Sequence, residues 1–162
     1  MHRVYVSIGS NIEPAQHVRL AVAALQGRYG ELIISSVYES ESVGFAGENF
    51  LNLVVGFDTA QSVDEVNKSL HHIEDEQGRD RSGPRFSSRR VDLDLLLYDD
   101  LCMNAGKLVL PREEITENAF VLWPLAEIAP EVMHPLLHKS MSALWNEFDK
   151  QKQQLWVIDF QF

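Results

Sequence analysis

The sequence predicts an α/β (α+β) fold of the ferredoxin-like kind, a βαββαβ sandwich with an antiparallel sheet and C-terminal additions. Three observations carry this. From residue 3 to residue 98 the hydrophobic patterns run strand, helix, strand, strand, helix, strand. Both helical stretches carry a single apolar stripe, so both suit one face of a sheet. No repeat, low-complexity tract or linker divides the 162 residues, which reads as a single domain over 1–162 with room for a real core.

Arg3 to Ile8 alternates with strand period and ends on Gly9-Ser10-Asn11, a turn sequence. Pro14 opens a helix whose stripe is Val18, Val22, Leu25 and Tyr29, and Gly30 stops it. Leu32 to Tyr38 is a second strand, Glu39 to Asn49 a loop, and Phe50 to Phe57 a third strand. Ser62 and Glu65 have capping-box spacing and start a second helix with Val63, Val66, Leu70 and Ile73 inward; Gly78 closes it after about Gln77. Val91 to Tyr98 is the fourth strand, and Lys107 to Leu110 a short edge strand. Asn118 to Ile128 is apolar, with Pro124 limiting any helix through it. Ser140 to Phe148 is a short helix, and Leu155 to Phe162 alternates like a strand.

Composition narrows the function. A net charge of −10 argues against nucleic acid as a partner, because phosphate-backbone binding needs a broad cationic surface. One cysteine, Cys102, permits no internal disulfide and is read as structural. No secretory leader and no apolar run of membrane-spanning length occurs, so a cytoplasmic protein with no membrane contact is expected. A monomer is expected as well.

The chemistry concentrates in Gly78 to Tyr98. Five of the fourteen cationic residues lie there, Arg79, Arg81, Arg85, Arg89 and Arg90, among glycine, serine and proline that favour a mobile loop. The strand after it carries Asp92 and Asp94. Side chains two apart on a strand share a face, about 6.6 Å apart. Leu93, Leu95 and Leu97 then face the other way. Two carboxylates at that spacing repel by about 2.5 kcal/mol at an effective dielectric near 20. A divalent cation reverses that sign, and arginine forks match phosphate oxygens, so the pattern points to a polyphosphate and its metal. The bland alternative is a solvated strand face beside a basic loop. Phe45, Phe50, Phe86 and Phe120 fall in or beside loops and could clasp a flat heterocycle whose edge Asn52 reads; taken singly, each reads as core packing, in line with general burial tendencies. The sequence lacks a P-loop, a zinc-ligand set and a nucleophile motif.

These residues occur in blocks that resemble a known family. Val4-Tyr5-Val6-Ser7-Ile8-Gly9-Ser10-Asn11, Phe50-Leu51-Asn52, Ile73-Glu74, Gln77-Gly78-Arg79-Asp80-Arg81, Arg89-Arg90-Val91-Asp92-Leu93-Asp94-Leu95 and Leu122-Trp123-Pro124-Leu125 are similar, in order and spacing, to 6-hydroxymethyl-7,8-dihydropterin pyrophosphokinases. The resemblance implies transfer of pyrophosphate from ATP to the pterin hydroxymethyl oxygen, releasing AMP, in folate biosynthesis. It implies two Mg2+ ions on Asp92 and Asp94, with Arg79 and Arg89 joining the aspartates in catalysis. ATP contacts would come from His71, Glu74, Arg79, Arg81, Arg89, Leu95 (through its backbone), Lys107 and Arg112. The pterin would meet Ser40, Glu41, Val43, Phe50, Asn52, Phe86 and Phe120. The chain departs from the family pattern in Phe86-Ser87-Ser88 before Arg89, in Ser40-Glu41-Ser42, in Arg112 where a histidine is usual, and in Asn118 where an arginine is usual. Those departures leave two alternatives: a paralogue acting on a related pterin, and a non-catalytic nucleotide- or metabolite-binding protein.

Overall fold

The computed structural model describes residues 1–41, 49–78 and 90–162. Expectations placed on Val43, Phe45, Arg79, Arg81, Arg85, Phe86 and Arg89 lie outside the described residues. The chain forms β1 (His2–Ser10), α1 (Pro14–Tyr29), β2 (Ile33–Ile34), β3 (Val37–Ser40), β4 (Phe50–Thr59), α2 (Val63–Glu76), β5 (Asp92–Tyr98), β6 (Met103–Ala105), β7 (Leu108–Leu110), α3 (Glu114–Glu117), α4 (Ala119–Ile128), α5 (Met141–Glu147) and β8 (Trp156–Ile158). The main sheet runs β5-β1-β4-β3-β8 with β2 also on β4, every pair antiparallel. With β2 and β3 counted as one strand, β1 to β5 have the strand order of a ferredoxin-like sandwich.

Period-2 alternation sorts each strand between two cores. Val4, Val6 and Ile8 of β1 and Leu53, Val55 and Phe57 of β4 pack with the stripes of α1 (Val18, Val22, Leu25) and α2 (Val66, Leu70, Ile73). The helix ends match their sequence signals. Gly30 takes φ 78°, a region glycine enters without Cβ strain, and its N–H reaches Gln26 O at 2.9 Å. At α2, Ser62 Oγ accepts the Glu65 N–H at 3.2 Å, while Glu65 accepts the Ser62 N–H at 3.0 Å. That backbone N–H also holds the Glu65 carboxyl below its usual range.

The opposite face carries Tyr5, Val54, Leu96 and Leu97 against α4 and α5. Here several expectations are corrected. Pro124 does not stop α4, which continues to Ile128. Proline in a helix interior costs about 3 kcal/mol, but Val121, Leu122, Leu125 and Ala126 are buried, and each large aliphatic side chain contributes about 1.5–3 kcal/mol. Leu97 does not follow Leu93 and Leu95 into the first core. The β1–β5 register shifts between Tyr5 and Val6, so a bulge at Leu96 turns Leu96 and Leu97 to the second face.

The expected strand Leu32 to Tyr38 is broken into β2 and β3. At the break, Ser35 Oγ instead of a backbone carbonyl accepts the Val54 N–H (2.9 Å), and the Ser36 N–H turns to Glu127. The loop expected from Glu39 begins later, because β3 continues to Ser40 opposite Phe50. The C-terminal strand shrinks to β8, beyond which Phe160 packs edge-on to Phe162 and under Arg19. Cys102 is exposed between β5 and β6 and is no core residue. Among the described residues no helix is long and apolar enough to cross a membrane.

Candidate active site

Beside the first turn of α4, the second sheet face opens into a cleft of about 470 Å³. Strand register builds its floor. Gly9 lies opposite Asn52 of β4 on one side and Asp92 of β5 on the other, and Ser7 lies opposite Asp94. Asn52, Gly9 and Asp92 thus form one row across three strands, spanning about 10 Å at the usual interstrand spacing. A Cβ on Gly9 would fall 2.7 Å from Asn52 Oδ1, so the Asn52 amide lies over the glycine. Gly9 is the residue that admits it.

The walls come from distant segments. Ser40 and Glu41 stand at the end of β3, and Phe50 begins β4. Phe120 and Val121 come from the first turn of α4, with Asn118 just before it. Arg112 enters after β7 with its backbone N–H on Leu96 O at 3.1 Å. Its guanidinium lies between two carboxylates: Nη2 is 3.4 Å from Asp94 Oδ1, and Nε is 2.5 Å from Glu114 Oε2 at ionic distance without hydrogen-bond alignment.

Eight expected site residues therefore line one cleft: Ser40, Glu41, Phe50, Asn52, Asp92, Asp94, Arg112 and Phe120. Four others do not line it. Glu74 is buried under the sheet edge, where its Oε2 accepts the Leu93 N–H at 2.9 Å and its Oε1 meets His71 Nδ1 at 3.1 Å. Leu95 is core, and Lys107 is exposed at the β6–β7 turn. The expected sites at Val43, Arg79, Arg81, Phe86 and Arg89 fall outside the described residues. Gly78 and Arg90, which flank residues 79–89, lie together: a Cβ on Gly78 would meet the Arg90 side chain at 2.8 Å. Ser10 Oγ fixes the return by donating to Arg90 O at 2.6 Å. The arginine segment thus leaves and rejoins the described chain at one place, two residues before Asp92.

The reading of the sequence missed Ser7, Gly9, Leu96, Glu114 and Val121. Alternation from Tyr5 could have put Ser7 and Gly9 on the aspartate face, given the pairing of β1 with β5. Nothing local signals Leu96, whose direction depends on the bulge.

Among the described residues no group of three or more histidine, cysteine or acidic side chains gathers to hold a metal. Asp92 and Asp94 nevertheless suit Mg2+, a hard cation that commonly takes one or two carboxylates and completes its shell with water and phosphate oxygens. With Glu41 and Glu114 also lining the cleft, the charged residues of the described lining are all acidic apart from Arg112.

Fold and site define a ferredoxin-like α/β protein whose second sheet face places an acidic pair in a cleft beside α4. The family model for 7,8-dihydro-6-hydroxymethylpterin-pyrophosphokinase (HPPK) matches residues 5–130. The 2-amino-4-hydroxy-6-hydroxymethyldihydropteridine pyrophosphokinase of Aquifex aeolicus is 32% identical over 143 residues, 87% of this chain and 89% of the relative. The Pseudomonas aeruginosa enzyme of the same name is 36% identical over 140 residues, covering 83% and 85%. Among solved structures, wild-type Plasmodium falciparum HPPK-DHPS with SDX-DHP superposes with a TM-score of 0.70 at 14% identity. The superposition covers 91% of this chain and 43% of that one, so this chain spans less than half of its length, and the likeness supports the fold alone. The chain belongs to the 7,8-dihydro-6-hydroxymethylpterin-pyrophosphokinase family.

Proposed function

We propose that this protein transfers the pyrophosphoryl group of ATP to the hydroxymethyl oxygen of 6-hydroxymethyl-7,8-dihydropterin, giving the pterin diphosphate and AMP for folate biosynthesis. The observation that carries the reading is one row of the sheet that joins a heterocycle-reading amide, Asn52, to the acidic pair at Asp92, in a chain of this family. The pterin ring lies between Phe50 and Phe120, with its edge on Asn52 and its pyrimidine side toward Ser40, Glu41 and Val43. Phe86 is assigned to the pterin by the family resemblance alone. The pterin hydroxymethyl group then points along the row toward Asp92.

The pterin oxygen forms the new bond to the β-phosphorus as the bond from that phosphorus to the α,β-bridging oxygen breaks, and the electron pair leaves with AMP. The hydroxyl proton passes to solvent. Little covalent work falls to the protein, whose part is alignment and charge. Asp92 and Asp94 are the residues that would hold Mg2+, taken as two ions, which when bound neutralises charge on the triphosphate. Arg79, Arg81, Arg89 and Arg112 take phosphate oxygens, Lys107 approaches from the hairpin, and His71 and the Leu95 backbone serve the nucleotide end. Glu74 acts on the nucleotide side through β5, whose Leu93 N–H it holds. We take the chain as a single domain that works as a cytoplasmic monomer. The names of the relatives speak for the transferase over the nucleotide-binding alternative.

Purified protein incubated with ATP, Mg2+ and the pterin should release AMP and pterin diphosphate in equal amounts. Asp94→Ala should lower turnover at least about 100-fold, the scale of losing a charge-stabilising group. Wild-type protein that makes neither product overturns the proposal, and a fully active Asp94→Ala variant removes the metal assignment.

A further inference from the structure

The C-terminal segment beyond the family match reaches the wall of the cleft, without lining it, through Gln153. Gln153 reaches back to the start of α4: its Oε1 accepts the Ala119 N–H at 2.6 Å, and its Nε2 lies 3.1 Å from Asn118 Oδ1 and 3.4 Å from Glu117 O. Asn118 is the N-cap of α4 but makes no side-chain cap bond to the helix. Gln153 supplies the acceptor for that first turn from 34 residues away.

Hydrogen-bond polarity fixes both amides. A backbone N–H can only donate, so the Gln153 atom facing Ala119 must be its oxygen, and its other end must be the NH2 group. The Asn118 atom facing that NH2 must then be its oxygen. Asn118 therefore turns its own NH2 away from Gln153, and Asn118 lines the cleft beside Phe120. A second hollow of about 310 Å³, lined by Ser40, Glu41, Phe120, Gln153 and Trp156 among others, joins this segment to the same end of the cleft. The Trp156 indole N–H holds that end by donating to Glu39 Oε2 at 3.1 Å.

We infer that Gln153 is a positioning residue for heterocycle binding: it holds the first turn of α4, and with it Phe120, and aims the Asn118 amide N–H donors into the heterocycle end of the cleft. This rests on the proposed function. The ligand class is a flat heterocycle with an oxygen or ring-nitrogen acceptor on the side facing α4. Gln153 itself touches only protein atoms in these contacts, so its effect passes through Asn118 and Phe120.

Two variants test it. Gln153→Ala removes all three contacts. Gln153→Glu keeps an oxygen for the Ala119 N–H but sets a second oxygen against Asn118 Oδ1, so the Asn118 amide must flip and present its oxygen to the cleft. Both should weaken pterin binding to the free protein about 10-fold, the scale of one neutral hydrogen bond, when read by fluorescence titration with pterin. Both should raise KM for pterin similarly, with KM for ATP and the thermal midpoint of Gln153→Glu close to wild type. A merely structural role would shift the midpoint and both KM values together, and that result overturns the inference. So does pterin binding equal to wild type in Gln153→Glu, which carries the test alone should Gln153→Ala fail to fold. Wild-type protein that binds pterin while the variants bind equally well sinks this inference only; wild-type protein that neither binds pterin nor releases AMP sinks the proposed function and this inference together.

Discussion

Glu74 is where α2 takes hold of the acidic strand. Among the described residues β5 is an edge strand of the main sheet, so the outward N–H of Leu93, between the two aspartates, meets no neighbouring strand there. Glu74 Oε2 accepts it at 2.9 Å from a buried position. Glu74→Ala leaves that N–H without its acceptor, at about 1–3 kcal/mol, and removes a buried methylene worth about 0.8 kcal/mol. A loss near 3 kcal/mol lowers the thermal midpoint of a domain this size by about 6–12 °C. Glu74→Gln retains an oxygen for Leu93 and should lose about 1 kcal/mol, hence about 2–4 °C. Thermal unfolding followed by circular dichroism on wild type and both variants measures this directly. Because the same strand carries Asp92 and Asp94, pyrophosphoryl transfer by Glu74→Ala at a temperature where it is still folded should drop by about 10-fold or more; misplacing reacting groups by 1 Å costs up to about 100-fold. A Glu74→Ala midpoint within about 1 °C of wild type, well short of that range, would refute the view that this bond holds β5.

Gly9→Ala puts a methyl group 2.7 Å from Asn52 Oδ1, which must move off the floor of the cleft. Pterin affinity should fall about 10-fold with little change in thermal midpoint, and unchanged affinity by titration would remove Asn52 from the heterocycle site. His134 Nδ1 accepts the N–H groups of Leu136 and Leu137 at 3.2 and 3.1 Å, which requires that nitrogen unprotonated. Burial first, and the neighbouring His138 second, push its pKa below the ordinary 6.5. The unfolded chain therefore takes up a proton before the folded one does as pH falls below 6.5, so this contribution is full above that value and is lost below it. Between pH 7.5 and 5 the urea midpoint of wild type should fall further than that of His134→Asn; parallel falls would show that His134 carries none of the pH dependence.

Much of the fold was legible because its signals are local. The capping box at Ser62 and Glu65, the stop at Gly30 and the stripes of α1 and α2 are each set within one or two turns of chain, and the structure reproduces them. The misreadings lie where distant contacts outweigh local preference. Pro124 reads as a helix limit until Leu122 and Leu125 are seen buried against the sheet. Leu32 to Tyr38 reads as one strand until Ser35 bonds Val54 and Ser36 turns to Glu127, 91 positions on. Leu97 reads as a partner of Leu95 until the bulge reverses it.

The same division runs through the site. By itself the sequence determined that Asp92 and Asp94 share a strand face, since side-chain alternation is a property of the local backbone. It also supplied the family blocks that name Phe50, Asn52 and Phe120. Only the tertiary structure decided what those residues face. Gly9 stands between Asn52 and Asp92 because β1 pairs with both β4 and β5 in one particular register. Arg112 reaches Asp94, and Gln153 reaches Asn118, across contacts that no local pattern encodes. Register and packing are chosen by burial and pairing summed over the whole chain, so the strand pattern could show two carboxylates side by side but not the amide, glycine and guanidinium assembled around them.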